Sequence, residues 1–152
     1  YCKTASLIAN STQAAGVLSD LNDHDLKRLH RFGKQLGLAF QVVDDILDFT
    51  SNDEQLGKPA ASDLASGYLT APALYALEEN PLLGGLIERE FSSEGDLEQA
   101  LEIVRDSNAI PRSRELAEEF AKDSKEAINW IPDSPYRNAL LQLPEFVISR
   151  LY

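Results

Sequence analysis

FQVVDDILDFT, residues 40–50, sets Asp44, Asp45 and Asp48 among large apolar side chains. Carboxylates are seldom buried without a partner, so three of them in a hydrophobic run need a reason. On a helical wheel with Asp44 at zero, Asp48 falls at about +40°, Gln41 at about +60° and Asp45 at about +100°. Leu36, Leu38, Ala39, Phe40, Val42, Val43, Ile46, Leu47 and Phe49 fill the rest of the circle. A helix apolar nearly all round is buried, so its one polar stripe must face something inside the protein. Gly33 and Gly37 lie at about −20° and +20°, in line with that stripe. Glycines there imply either close helix packing or room for a long ligand above the carboxylates.

Working outward, helical periodicity dominates. A segment rich in Ala, Ser and Thr covers about 1–18, and SDLND at 19–23 supplies turn and cap residues before a long helix over about 23–49. Residues 50–67, TSNDEQLGKPAASDLASG, read as a long loop of the length that often carries function. LTAPALYALEEN resumes helical spacing with Pro72 in its first turn, and NPLLGG at 80–85 reads as a turn or a broken helix start. Three more helices are expected over about 94–107, 111–130 and 134–151, separated by SNAIP and IPDSP, with Pro144 kinking the last. No period-2 strand or hairpin signal survives, so the fold class is all-α in a single domain.

The 152 residues suffice for one domain with a core, and 43% hydrophobic with 26% charged residues is a globular composition. A net charge of −11 argues against nucleic acid or an anionic membrane surface as a partner. No apolar run approaches the roughly 20 residues of a membrane span. Cys2 is the single cysteine, which excludes an intrachain disulfide and a cysteine zinc cluster and suits an intracellular setting. The chain opens YCKTASL and contains no Met, so it is expected to be part of a longer protein.

Three carboxylates within one turn repel one another unless cations neutralise them. Oxygen-only ligands favour a hard ion, Mg²⁺ above all when phosphate oxygens complete the shell. An EF-hand calcium loop does not fit, since DDILDF lacks the alternating acids, central Gly and distal Glu. The bland alternative is a solvated acidic corner. The cationic complement is Lys3, in a small-residue helix with Thr4 beside it, and Lys58 in the long loop. A Lys near such a cluster is a point-charge donor, and a Thr hydroxyl can bond a phosphate oxygen.

Lys3-Thr4, then Phe40-Gln41 with Asp44, Asp45 and Asp48, then Gly57-Lys58, Asp63 and Gly67, resemble in that order the C-terminal portion of a trans-type (all-E) polyprenyl diphosphate synthase. YCKTASLI and the ending SRLY are similar to long-chain, solanesyl- or nonaprenyl-type members from cyanobacteria and plastids. The resemblance implies an antiparallel bundle of the isoprenoid synthase type around a central cavity, usually homodimeric, with residues 1–152 forming the C-terminal part of that one domain. It implies that Mg²⁺ ions hold an allylic diphosphate between two aspartate motifs and that isopentenyl diphosphate is added to it. Asp44 would be the principal metal ligand and a catalytic residue, with Asp45 and Asp48 supporting directly or through water. Lys3, Thr4, Gln41 and Lys58 would contact the allylic diphosphate, the two lysines assisting catalysis. A plastid or cytoplasmic location follows from the same resemblance.

Two departures narrow this. The family's other aspartate motif is not among these residues: Asp20, Asp23 and Asp25 in SDLNDHD read as capping and solvated. The 152 residues alone are therefore expected to be inactive. Many members also carry Lys where this chain has Tyr68, which brings no positive charge. That leaves a noncatalytic partner subunit of a heteromeric synthase as an alternative, and a class I terpene cyclase as another. His24 and His30 read as structural and Trp130 as core. The acidic run EREFSSEGDLEQ and the mixed run RSRELAEEFAKDSKE read as solvated faces or i,i+4 pairs. Arg150 is a further candidate near a diphosphate entrance.

Overall fold

The long aspartate helix forms over the residues its periodicity specifies, α2 at Asp23–Thr50. The structure is a computed structural model and describes residues 1–50 and 61–152. It is all helical, with no strand among the described residues. α1 spans Ala5–Leu18, α3 Ser62–Ala65, α4 Ala71–Glu79, α5 Leu82–Glu88, α6 Asp96–Asp106, α7 Ala109–Ala127 and α8 Pro135–Ser149. Among the described residues no helix is long and apolar enough to cross a membrane.

Residues group into two units, Tyr1–Val43 with Leu116–Tyr152, and Asp44–Glu115. In the first, α1 lies antiparallel to α2 with small residues at the contact. A Cβ placed on Gly37 would come 2.5 Å from Ala5 Cα, and one on Gly33 would come 2.8 Å from Ala9 Cα. The two glycines therefore serve close packing; the space above them is filled by α1, not left for a ligand. Thr12 Oγ1 reaches the Leu29 carbonyl oxygen at 2.9 Å across the same seam. Asn22 caps α2 by accepting from the Asp25 amide at 3.1 Å, and its own amide nitrogen donates to Asp25 Oδ2 at 2.8 Å. The cap is thus Asn22, with Asp25 returning the bond, a variant of the capping box. Asp20 takes a left-handed φ of 53° in the turn.

The second face of α2 meets α7 and the residues after it. Phe32, Ala127 and Ile128 form a buried cluster flanked by Leu29, Leu36 and Leu140. Asp123 receives Arg31 Nη2 at 3.1 Å and Gln35 Nε2 at 2.7 Å, which hold its carboxyl below the usual carboxylate range. The mixed-charge run therefore ties helices together through bonds spanning 92 and 88 residues. Trp130 is half-buried, not core: its Nε1 donates to the Ala127 carbonyl at 3.0 Å and Arg28 stacks 5.2 Å from its ring. α8 starts at a Ser134 cap that accepts the Arg137 amide at 3.1 Å, and it continues through a buried Pro144.

In the second unit, α4, α5 and α6 pack on one another around Phe49, Leu64, Ala76, Leu83, Leu86 and Val104. NPLLGG, read as a turn or broken start, opens α5 instead, because Leu83 and Leu86 one turn apart both enter this core. Likewise the expected loop of residues 50–67 contains α3, whose Leu64 is fully buried. Gly57 and Lys58 lie outside the described residues.

The acidic run also departs from a solvated face. Asp96, only 4% exposed, accepts from Arg89 Nε at 2.7 Å, Arg89 Nη2 at 2.6 Å and the Ser93 amide at 3.1 Å. This fork braces a turn in which Glu90 and Phe91 both hold positive φ, 55° and 52°. The Arg89 guanidinium lowers the Asp96 pKa, so its stabilising contribution is present above the unfolded carboxylate range and fades as pH falls through the folded value. We expect Asp96→Asn to lower the melting temperature at neutral pH. Its deficit should shrink once the pH drops below about 4, as a pH series of melting curves would read.

Candidate active site

In the first unit Lys3 and Thr4 stand ahead of α1 in a turn, not inside a helix as expected, and Thr4 occupies the position just before Ala5. The reason is local: Ser6 N–H bonds back to the Tyr1 carbonyl at 3.0 Å and the helix proper begins only at Ala5. The Thr4 hydroxyl donates to Gln41 Oε1 at 2.6 Å. That bond spans 37 residues and ties the start of α1 to α2 through the Gln41 amide oxygen. Arg150, at the end of α8, stacks over Phe40 with its guanidinium 4.9 Å from the ring centroid. That ring belongs to the residue preceding Gln41.

In the second unit the three aspartates differ in depth. Asp44 is half-buried, Asp45 is 7% exposed and Asp48 is 1% exposed. Asp48 Oδ1 accepts from Ser62 Oγ and Oδ2 from the Asp63 amide, both at 3.1 Å. The structure thus brings Asp63 to Asp48 through its backbone nitrogen. The Phe49 carbonyl at the end of α2 accepts from Arg105 Nε at 2.9 Å, a cation at a helix C-terminus where the helix dipole favours it. Neither Ser62 nor Arg105 was legible as a site neighbour, since their partners lie 14 and 56 residues away. Tyr68 is exposed.

The donor set suits a hard divalent ion. Among the described residues no group of three or more His, Cys, Asp or Glu is arranged to hold a metal by itself. Mg²⁺ does not require one, because it commonly takes one or two carboxylates and completes its octahedron with water and phosphate oxygens. Asp44 and Asp45 offer such a pair of oxygen ligands.

An all-helical chain with an aspartate stripe on a buried helix defines the isoprenoid synthase class, and comparison with known proteins agrees. The polyprenyl synthetase family model matches residues 1–104, and the chain belongs to that family. A prenyl transferase of Synechocystis is 58% identical over 152 residues, covering all of this chain and 47% of its own length. The chloroplastic solanesyl diphosphate synthase 2 of Arabidopsis thaliana is 49% identical over 151 residues, covering 99% of this chain and 36% of its own. The apo form of an Arabidopsis medium/long-chain prenyl pyrophosphate synthase superposes with a TM-score of 0.88 at 40% identity, over all of this chain and 53% of that one. The chain thus spans about half, or less, of the relatives it matches.

Proposed function

We propose that these residues are the C-terminal portion of a Mg²⁺-dependent prenyltransferase that adds isopentenyl diphosphate to an allylic diphosphate, giving a linear polyprenyl diphosphate. The observation that carries this is the carboxylate stripe on a helix otherwise packed in apolar surroundings, in a chain whose family is the polyprenyl synthetases. Similarity to a solanesyl diphosphate synthase supports a long-chain product.

In this reading Asp44 is the principal ligand, and Asp45 and Asp48 support it directly or through water. Lys3, Thr4, Gln41 and Lys58 contact the allylic diphosphate. The Thr4 hydroxyl holds the Gln41 amide oxygen and so orients that side chain. The chemistry Mg²⁺ supplies when bound is neutralisation of the diphosphate as it leaves. Lysine side chains add fixed positive charge, and apolar helix faces keep water from the allylic carbon. The protein acts as a homodimer or as part of a heteromer, in a plastid or the cytoplasm. The plastid placement draws on relatives named chloroplastic.

The alternative worth keeping is a noncatalytic partner subunit, because exposed Tyr68 brings no charge where many family members have Lys. The deciding experiment is an assay of the complete protein with an allylic diphosphate and labelled isopentenyl diphosphate. Chain elongation that needs Mg²⁺ and stops with chelator is expected, while residues 1–152 alone give none. A complete protein that elongates nothing by itself but alters the product length of an added active synthase would select the partner-subunit reading.

A further inference from the structure

Asp48 is the deepest of the three aspartates, and a carboxylate that is 1% exposed requires donors. Two of its donors come from the chain entering α3. Ser62 Oγ and the Asp63 amide take one carboxylate oxygen each, at 3.1 Å. The main-chain carbonyl of Asp48 accepts in addition the Ala61 amide at 2.9 Å. One residue of α2 therefore binds three consecutive residues of the returning chain. Ala61 is fully buried and holds a left-handed φ of 54°, a conformation an alanine leaves unless its neighbours fix it.

A carboxylate aimed at a hydroxyl and an amide in this way is aimed at α3. We infer that Asp48 and Ser62 are a positioning pair: Asp48 contributes by fastening the end of the aspartate helix to α3, and Ser62 acts on the site only through Asp48. This adds to any ion contact of Asp48 the placement of the helix that carries Asp44 and Asp45. What the placement serves rests on the proposed prenyltransferase function; the fastening itself is a matter of geometry.

The test uses the complete protein with Ser62→Ala, Ser62→Thr, Asp48→Asn and the Asp48→Asn/Ser62→Ala double variant. Two quantities are read: hydrogen exchange of the segment 61–64, and the Mg²⁺ concentration giving half-maximal turnover. Ser62→Ala should speed exchange roughly fivefold, the loss of one ordinary hydrogen bond. It should raise half-saturating Mg²⁺ by about tenfold, the lower end of what loss of a supporting partner does at a metal site. Ser62→Thr, which keeps the hydroxyl, should stay near the parent in both. The double variant should be no worse than Asp48→Asn, since the two act as one unit. The inference is overturned if Ser62→Ala changes neither quantity. It is equally overturned if Asp48→Asn shifts the Mg²⁺ dependence while exchange over 61–64 stays at the parent rate, the behaviour of a direct ligand. A complete protein without prenyl transfer would defeat the proposed function, and the exchange measurements would still decide the fastening.

Discussion

Replacing Asp44 by Ala in the complete protein should lower prenyl-transfer turnover by about two to three orders of magnitude, the loss seen when one group stabilising developing charge is removed. Asp44 lies at one edge of the carboxylate stripe, and it is the least buried of the three aspartates. A principal ligand must reach both ion and solvent-borne substrate, and Asp44 is more open to both than Asp48, whose carboxylate is nearly fully buried and accepts bonds from Ser62 and Asp63. Stability should change little. Ala has the highest helix propensity, and removing one of three neighbouring carboxylates relieves repulsion in the absence of metal. The variant should therefore unfold within about 0.5 kcal/mol of the parent. Steady-state kinetics beside a denaturant titration would check both parts, and near-normal condensation by Asp44→Ala would sink the ligand assignment. Asp44→Asn, which keeps the shape and loses the charge, should resemble Ala in turnover.

The sequence declares some of this arrangement openly. α1, α2, α4, α6, α7 and α8 follow from periodicity because each has one face that must be buried, and Asn22 and Ser134 announce their helix starts as side chains built to accept backbone amides. The aspartate stripe is legible for the same reason: a polar minority on an apolar wheel is visible without coordinates. α5 is hidden because Pro81, Gly84 and Gly85 lower its intrinsic propensity, and only the burial of Leu83 and Leu86 against neighbouring helices makes up the difference. The Arg89–Asp96 fork is hidden because its spacing of seven bridges a turn between two helices rather than one helix face. The attachment of Asp48 to Ser62 and of Arg105 to Phe49 depends on where the chain returns, which no local pattern encodes. The motif thus says which side chains are chemical, and only the fold distinguishes the one that reaches outward from the one that fastens.

Gly37→Ala should destabilise the protein by about 2 kcal/mol, against the sign that helix propensity alone would give. In a helix interior the exchange normally gains about 1 kcal/mol, because glycine has more backbone freedom to lose. Here the new methyl would lie 2.5 Å from Ala5 Cα, 2.9 Å from Ala5 Cβ and 3.3 Å from Ala5 N. Two of those atoms are backbone, so no rotamer change relieves the clash, and α1 must move as a body. The movement acts directly on Thr4, the neighbour of Ala5, whose hydroxyl would lose its 2.6 Å bond to Gln41. KM for the allylic diphosphate should therefore rise along with the loss of stability. Gly85→Ala is the matched control, since a Cβ there meets nothing within 4 Å, and Gly84→Ala meets only Leu77 Cδ1 at 3.5 Å. Both should stabilise by up to about 1 kcal/mol without changing KM. Denaturant unfolding of the three variants separates the effects: if Gly37→Ala stabilised like the controls, α1 would not be seated on α2 through Ala5, and the placement of Thr4 beside Gln41 would fall with it.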